Sequence, residues 1–187
     1  VPEALRSLIK QTGASTLITV PSNQSPMGTT QSERRRQSLA DVIIAEDLLV
    51  IEEDIYGMFA KPVPLAHFAP KHTLLLSGFS KCLSGGHKAA FIASKHPVLK
   101  KLSELVVETV WLVSSSATSH IISAIENHYL DAAIKHISLR TQEKNAILRK
   151  ILNIDLCLTN PHHWVQSSHA FIEHAARSGV LLAHSDN

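Results

Sequence analysis

Lys81 lies in the stretch SGFSKCLSGGHK, just beyond the apolar run Thr73–Leu76 and ahead of Gly85, Gly86 and a second amine, Lys88. An amine at the mouth of a sheet loses solvation, gives up its proton more readily and attacks carbonyl carbons. A single lysine after a strand is more often a plain surface group. Asp54 comes just after the apolar run Leu48–Ile51. A carboxylate there can hold a protonated ring nitrogen as an ion pair, or can simply serve as a turn or cap residue. Tyr56 can donate its phenol to an anionic oxygen, or pack half-buried. Ser80, Gly85, Gly86 and Lys88 together offer a hydroxyl, backbone N–H groups and a point charge, the parts of a phosphate cradle. A lone Gly-Gly is usually only a turn.

These residues need elements to position them. Val1–Lys10 reads as a helix with Leu5, Leu8 and Ile9 on one face and Pro2 in its first turn. STLITV is a β-branched strand. The loop PSNQSPMGTT follows, and Thr30 with Glu33 fits a capping box that opens a helix through about Ala45. LLVIEE is a second strand, whose continuous apolar run predicts cover on both faces. Asp54–Lys71 is a long connection, TLLLS a third strand and AAFIAS a fourth. Helix alternating with strand predicts an α/β fold with a mainly parallel sheet. Ligands in such sheets lie at the carboxyl ends of the strands, so the loops 21–30, 52–57 and 77–88 are expected to converge on one site.

Beyond residue 97 the spacing turns helical. HPVLKKLSELVVETVWLV predicts one helix, and residues 117–152 predict two, broken near Asp131. HHWVQ reads as a short strand, SHAFIEHAARSG as a helix ending at Gly179, and VLLAH as a last strand.

The composition narrows the classes. In 187 residues, 44% are hydrophobic and 18% charged, so the chain folds rather than stays disordered. The net charge is +2 and the basic run ERRRQ fits the solvated start of a helix, which argues against nucleic-acid binding by these residues. Cys82 and Cys157 make no disulfide framework, which suits a reducing cytoplasm. No stretch reaches transmembrane length and no signal peptide is visible, so neither a membrane nor secretion is expected. The twelve histidines include adjacent His162 and His163, but neighbours in a strand face opposite ways and no Cys/His pair has zinc spacing, so no metal site is expected. Opening at Val1, the chain reads as a piece of a longer protein.

Taken in order, PSNQSPMG, an arginine pair, VIEEDIYG and SGFSKCLSGGHKAAF resemble the fold-type I pyridoxal-phosphate (PLP) proteins. They are most similar to the aminotransferase-like domain of MocR regulators, a branch of the GntR transcription factors. That domain reads Q-x-P-x-G, matched by Gln24–Gly28, then R-R, matched within Arg34–Arg36. It continues E-D-D-Y, matched by Glu53–Tyr56, and F-S-K, matched by Phe79–Lys81. Downstream, KHISLRTQEKNAILRKIL, HHWV and AARSGVLLAH resemble its C-terminal domain.

The resemblance implies that Lys81 holds the PLP aldehyde carbon, Asp54 keeps the pyridine nitrogen protonated, Tyr56 bonds the ring oxygen, Lys88 meets the phosphate, and Ser80 supplies a further hydroxyl. Lys88 replaces an arginine, Gly78 a phosphate-binding serine or threonine, and Gly85 a proline. Ser25 stands where transaminases place an asparagine on the ring oxygen, a departure that favours the regulators. The resemblance also implies that residues 1–96 are the second half of the large PLP domain. Residues 97–187 would be interdomain helices and a truncated, small α+β C-terminal domain. One sheet edge would be left open. The expected function is a PLP-binding module of a GntR/MocR-type regulator that senses an amino acid or related amine. It would be cytoplasmic and homodimeric, and would reach DNA only through a winged-helix domain outside this sequence. The alternatives are an amino-acid aminotransferase, and a fragment without a working cofactor site.

Overall fold

The computed structural model describes residues 2–182. One four-stranded sheet carries the first half, with β1 (Thr16–Thr19), β2 (Leu49–Glu53), β3 (Thr73–Gly78) and β4 (Ala90–Ala93) side by side in chain order. β1, β2 and β3 are parallel, and β4 runs antiparallel to β3 with Gly78 opposite Ala90. The chain is therefore α/β with a mainly parallel sheet. β4 returns through the loop Phe79–Ala89 without a crossover helix, which an antiparallel pair does not need.

α1 (Pro2–Thr12), α2 (Glu33–Ala45) and the single turn α3 (Leu65–Phe68) cover one face of the sheet. Leu39, Ala40 and Ile43 of α2 meet Leu48, Val50, Leu65 and Ala69, while Leu5 and Ile9 of α1 pack on from outside. Leu8, expected on the same face, is 53% exposed. The cover is one-sided. In β2, Val50 and Glu52 are buried whereas Leu49 and Ile51 are only half-buried, so the apolar run overstated its burial. β1 forms an open edge with Ile18 68% exposed, a surface able to pair with another strand.

The cap of α2 is Ser32, whose hydroxyl accepts from the Arg35 N–H at 3.3 Å. Thr30, expected in that role, instead accepts from the Asn23 N–H at 3.0 Å and so closes the preceding loop. Glu52 is fully buried, and its two oxygens take the Leu65 and Ala66 N–H groups at 2.6 and 2.7 Å. This carboxylate ties β2 to the otherwise orphaned donors at the start of α3.

The second half is helical: α4 (Val98–Val110), α5 (Ser115–Glu126), α6 (Tyr129–Leu152) and α7 (His169–Arg177). The break between α5 and α6 falls at Asn127–His128, where His128 takes φ 59°, not at Asp131. Asp131 lies in the first turn of α6, where an acid favours the helix dipole and continues the helix. Residues 162–166 form no strand, and neither do 180–182; among the described residues no neighbouring strand is there to pair with them. Ala183 and His184, the rest of the second segment, lie outside the described residues.

Candidate functional site

The parallel order of β1, β2 and β3 sends their following loops to one edge. There the Asp54 N–H donates to the Leu76 carbonyl at 2.9 Å, and the Ser77 hydroxyl donates to the Asp54 carbonyl at 3.0 Å. Asp54 is 4% exposed, and its Oδ1 is buried with no hydrogen-bond partner. Burial raises its pKa, opposed by the Ser22 hydroxyl and by the Arg36 charge. Gly57 lies against this carboxylate: a Cβ there would be 2.5 Å from Asp54 Cγ and 3.0 Å from Oδ1, and closer still to Oδ2. The side chain of residue 57 is absent because Asp54 occupies its place.

Lys81 Nζ lies 5.9 Å from the centroid of the Tyr56 ring. Lys81 is exposed, so the desolvation expected of it is not present in this chain. Ser80 and Lys88 are exposed on the same loop, and Lys88 takes φ 43°. The structure thus brings Asp54, Tyr56 and Lys81 to one place, and leaves Ser80 and Lys88 on the rim. At position 78, the Ala89 carbonyl would stand 3.0 Å from an added Cβ, so the pairing of β3 with the start of β4 leaves little room for the hydroxyl residue usual there.

Sequence reasoning gave no role to the other side chains here. Ser22 and Asn23 are buried, and the loop that carries them is held from the far end of the chain. Asn160 Nδ2 donates to the Gly28 carbonyl at 2.8 Å, and His162 Nε2 is 3.3 Å from the Gln24 carbonyl oxygen. The His162 ring also lies 5.5 Å from that of Tyr56, tilted by 55°. Asn145 of α6, 5% exposed, fixes this arm by turning its amide to the carbonyls of Cys157, Leu158 and Asn160 at 3.4, 2.9 and 2.8 Å. The contacts of Asn160 and His162 with the first half span more than a hundred residues, and no local pattern announces them. Asn145→Ala is expected to leave those carbonyls without their shared donor and to cost about 1–3 kcal/mol. Hydrogen exchange should quicken over 157–162; unchanged exchange there would mean the arm is held by other contacts.

The model for aminotransferases of class I and II matches residues 2–172. The chain belongs to that family, whose members depend on PLP. It is 34% identical over 105 residues to YisV, an uncharacterized HTH-type transcriptional regulator of Bacillus subtilis, covering 54% of this chain and 22% of that protein. It is 28% identical to a second such regulator of B. subtilis, YdeF, across 97% of this chain and 41% of that protein. It is also 28% identical to aromatic-amino-acid aminotransferase 1 of Thermococcus litoralis, over 71% of this chain and 33% of the enzyme. The chain therefore spans less than half the length of these relatives. Among solved structures it superposes on kynurenine aminotransferase of Pyrococcus horikoshii with a TM-score of 0.78 at 21% identity, covering 96% of this chain and 50% of the other. The aspartate aminotransferase of Thermus thermophilus gives 0.77 at 16%, covering 97% and 51%.

Proposed function

We propose that this chain is part of a PLP-binding, effector-sensing domain of a GntR/MocR-type transcriptional regulator. One observation carries the cofactor assignment: Asp54 presents a buried carboxylate oxygen with no partner, two residues before Tyr56, whose ring faces the Lys81 amine. Leaving such an atom unpaired is costly, and a protonated pyridine nitrogen would satisfy it. The residues present therefore fit the group. Lys81 would bind its aldehyde carbon, Asp54 its ring nitrogen, Tyr56 its phenolic oxygen, and Lys88 with Ser80 its phosphate. When bound, PLP supplies an electron sink for an amino acid's α-carbon. The chain's own part is to hold the ring by Asp54, orient it through Tyr56, and keep an amine at Lys81. Lys88 gives a point charge in place of an arginine fork, which predicts a loosely gripped phosphate.

The regulator reading is supported by the relatives named as HTH-type regulators and by Ser25 in the first loop. The same proposal places the protein in the cytoplasm and makes it a homodimer that recognises an amino acid or related amine. No described helix is long and apolar enough to cross a membrane. In support of the dimer, α4 buries no residue and exposes Val106, Val107 and Val110, followed by Trp111 and Leu112. Residues 1–96 and 97–187 are proposed as the large-domain part and the interdomain-plus-small-domain part.

An absorbance titration with PLP, run on the chain and on Lys81→Ala, tests the reading. A saturable band, fixed by borohydride in the wild type and absent from the variant, is the expected result. Equal labelling of both would remove Lys81 as the anchor. Adding amino acids then separates a sensor from a transaminase: release of the corresponding keto acid at steady turnover would favour the enzyme, which the 28% identity to an aminotransferase keeps in view.

A further inference from the structure

Arg36 is fully buried, and none of its hydrogen bonds goes to a carboxylate. Its Nε donates to the Gln31 carbonyl at 3.2 Å and its Nη1 to the Val63 carbonyl at 3.0 Å. Its Nη2 donates to the Pro21 carbonyl at 3.1 Å and to the Ser22 hydroxyl at 2.9 Å. One guanidinium thereby closes both ends of the loop after β1 and ties that loop to the segment before α3. Guanidinium can only donate, so Ser22 Oγ must accept from it, and a hydroxyl has a single proton left to give. Ser22 is itself fully buried, and the β1–β2 register, which sets Thr19 beside Glu52, brings the start of its loop alongside Asp54, whose pKa the Ser22 hydroxyl lowers.

We propose that Arg36 and Ser22 are positioning residues for Asp54, with Arg36 fixing the Ser22 hydroxyl so that its one proton points at the Asp54 carboxylate. The device answers a local problem. Asp54 shares its surroundings with a second buried carboxylate, Glu52, and both have pKa values raised by burial. Arg36 is the cation that attracts both, but its own pKa is lowered by burial. A directed hydroxyl proton is what tips Asp54 toward the charged form. The groups that act on this carboxylate are Arg36 from α2, Ser22 from the loop after β1 and Glu52 from β2, while Lys81 and His162 lie against the ring of Tyr56, two residues on. The inference rests on the PLP reading only for what Asp54 does with its charge.

The test follows the Asp54 carboxyl carbon by ¹³C NMR through a pH titration of the chain without PLP, the signal being assigned by its loss in Asp54→Asn. Ser22→Ala is expected to raise the midpoint by about one pH unit, tenfold in proton affinity. Ser22→Thr, which keeps the hydroxyl, should restore the wild-type midpoint. Arg36→Lys keeps the charge but cannot serve four acceptors from one fork, so it should also raise the midpoint. In the Ser22→Ala background the same change should add nothing, because its effect passes through Ser22. Additive shifts would mean that Arg36 acts by charge or packing alone, and an unmoved midpoint in Ser22→Ala would mean that the hydroxyl does not act; either overturns the proposal. If Arg36→Lys does not fold, the Ser22→Ala and Ser22→Thr pair decides alone. Absence of PLP binding by the wild-type chain would count against the cofactor reading and leave this titration intact.

Discussion

Asp54→Asn should make the chain more stable at neutral pH while weakening its hold on PLP about a hundredfold. The two effects have one source. Asp54 is almost fully buried, one of its oxygens has no partner, and its pKa in the folded chain is raised. A carboxyl with a raised folded-state pKa binds its proton more tightly folded than unfolded. Its contribution is fully present below the ordinary carboxylate range and is lost as pH rises through the raised value. Above the ordinary carboxylate range the wild-type chain therefore loses stability as pH rises, and at pH 7 the buried carboxyl weighs against folding. Asparagine is fixed in the uncharged form and escapes that cost, worth about 1–3 kcal/mol. The urea midpoints of variant and wild type should diverge at pH 7 and converge well below pH 4. A variant less stable at pH 7 would show that the charge is fully compensated within the chain. The binding loss follows because an amide cannot keep a pyridine nitrogen protonated. Breaking a buried ion pair costs about 3–5 kcal/mol, and a hundredfold, about 2.8 kcal/mol, lies just under the low end of that range.

Gly57→Ala is the sharper geometric test. The added methyl falls on the Asp54 carboxylate, so that side chain must leave its place. Overpacking of this kind costs about 1–3 kcal/mol, and PLP binding should fall to the level of Asp54→Ala. In an Asp54→Ala background the methyl meets no carboxylate, and the same substitution should be close to neutral in urea unfolding. Equal costs in both backgrounds would place the strain in the backbone of the 3-10 turn Gly57–Phe59 rather than against Asp54.

These two residues mark where sequence reading succeeds and where it stops. Local patterns determined the elements of the first half: β-branched runs, the helical spacing of Leu39 and Ile43, and the turn-rich loop 21–30. Alternation of helix and strand determined the mainly parallel sheet, and with it the side of the sheet on which loops meet. The ordered motifs determined the family, because spacing between loops is written along the chain. Only the tertiary structure decided the rest. It put Gly57 against Asp54, gave Glu52 to the start of α3, buried Arg36 beneath the site, and drew Asn160 and His162 back to the loop at Gln24–Gly28. It also withheld strands from residues 162–166 and 180–182. The physical reason is common to all of these. A helix or strand is favoured by interactions within a few residues, whereas a buried polar group needs partners that packing alone brings within 3 Å. A sequence shows that Arg36 is charged; only the fold shows that the Ser22 hydroxyl must accept from it.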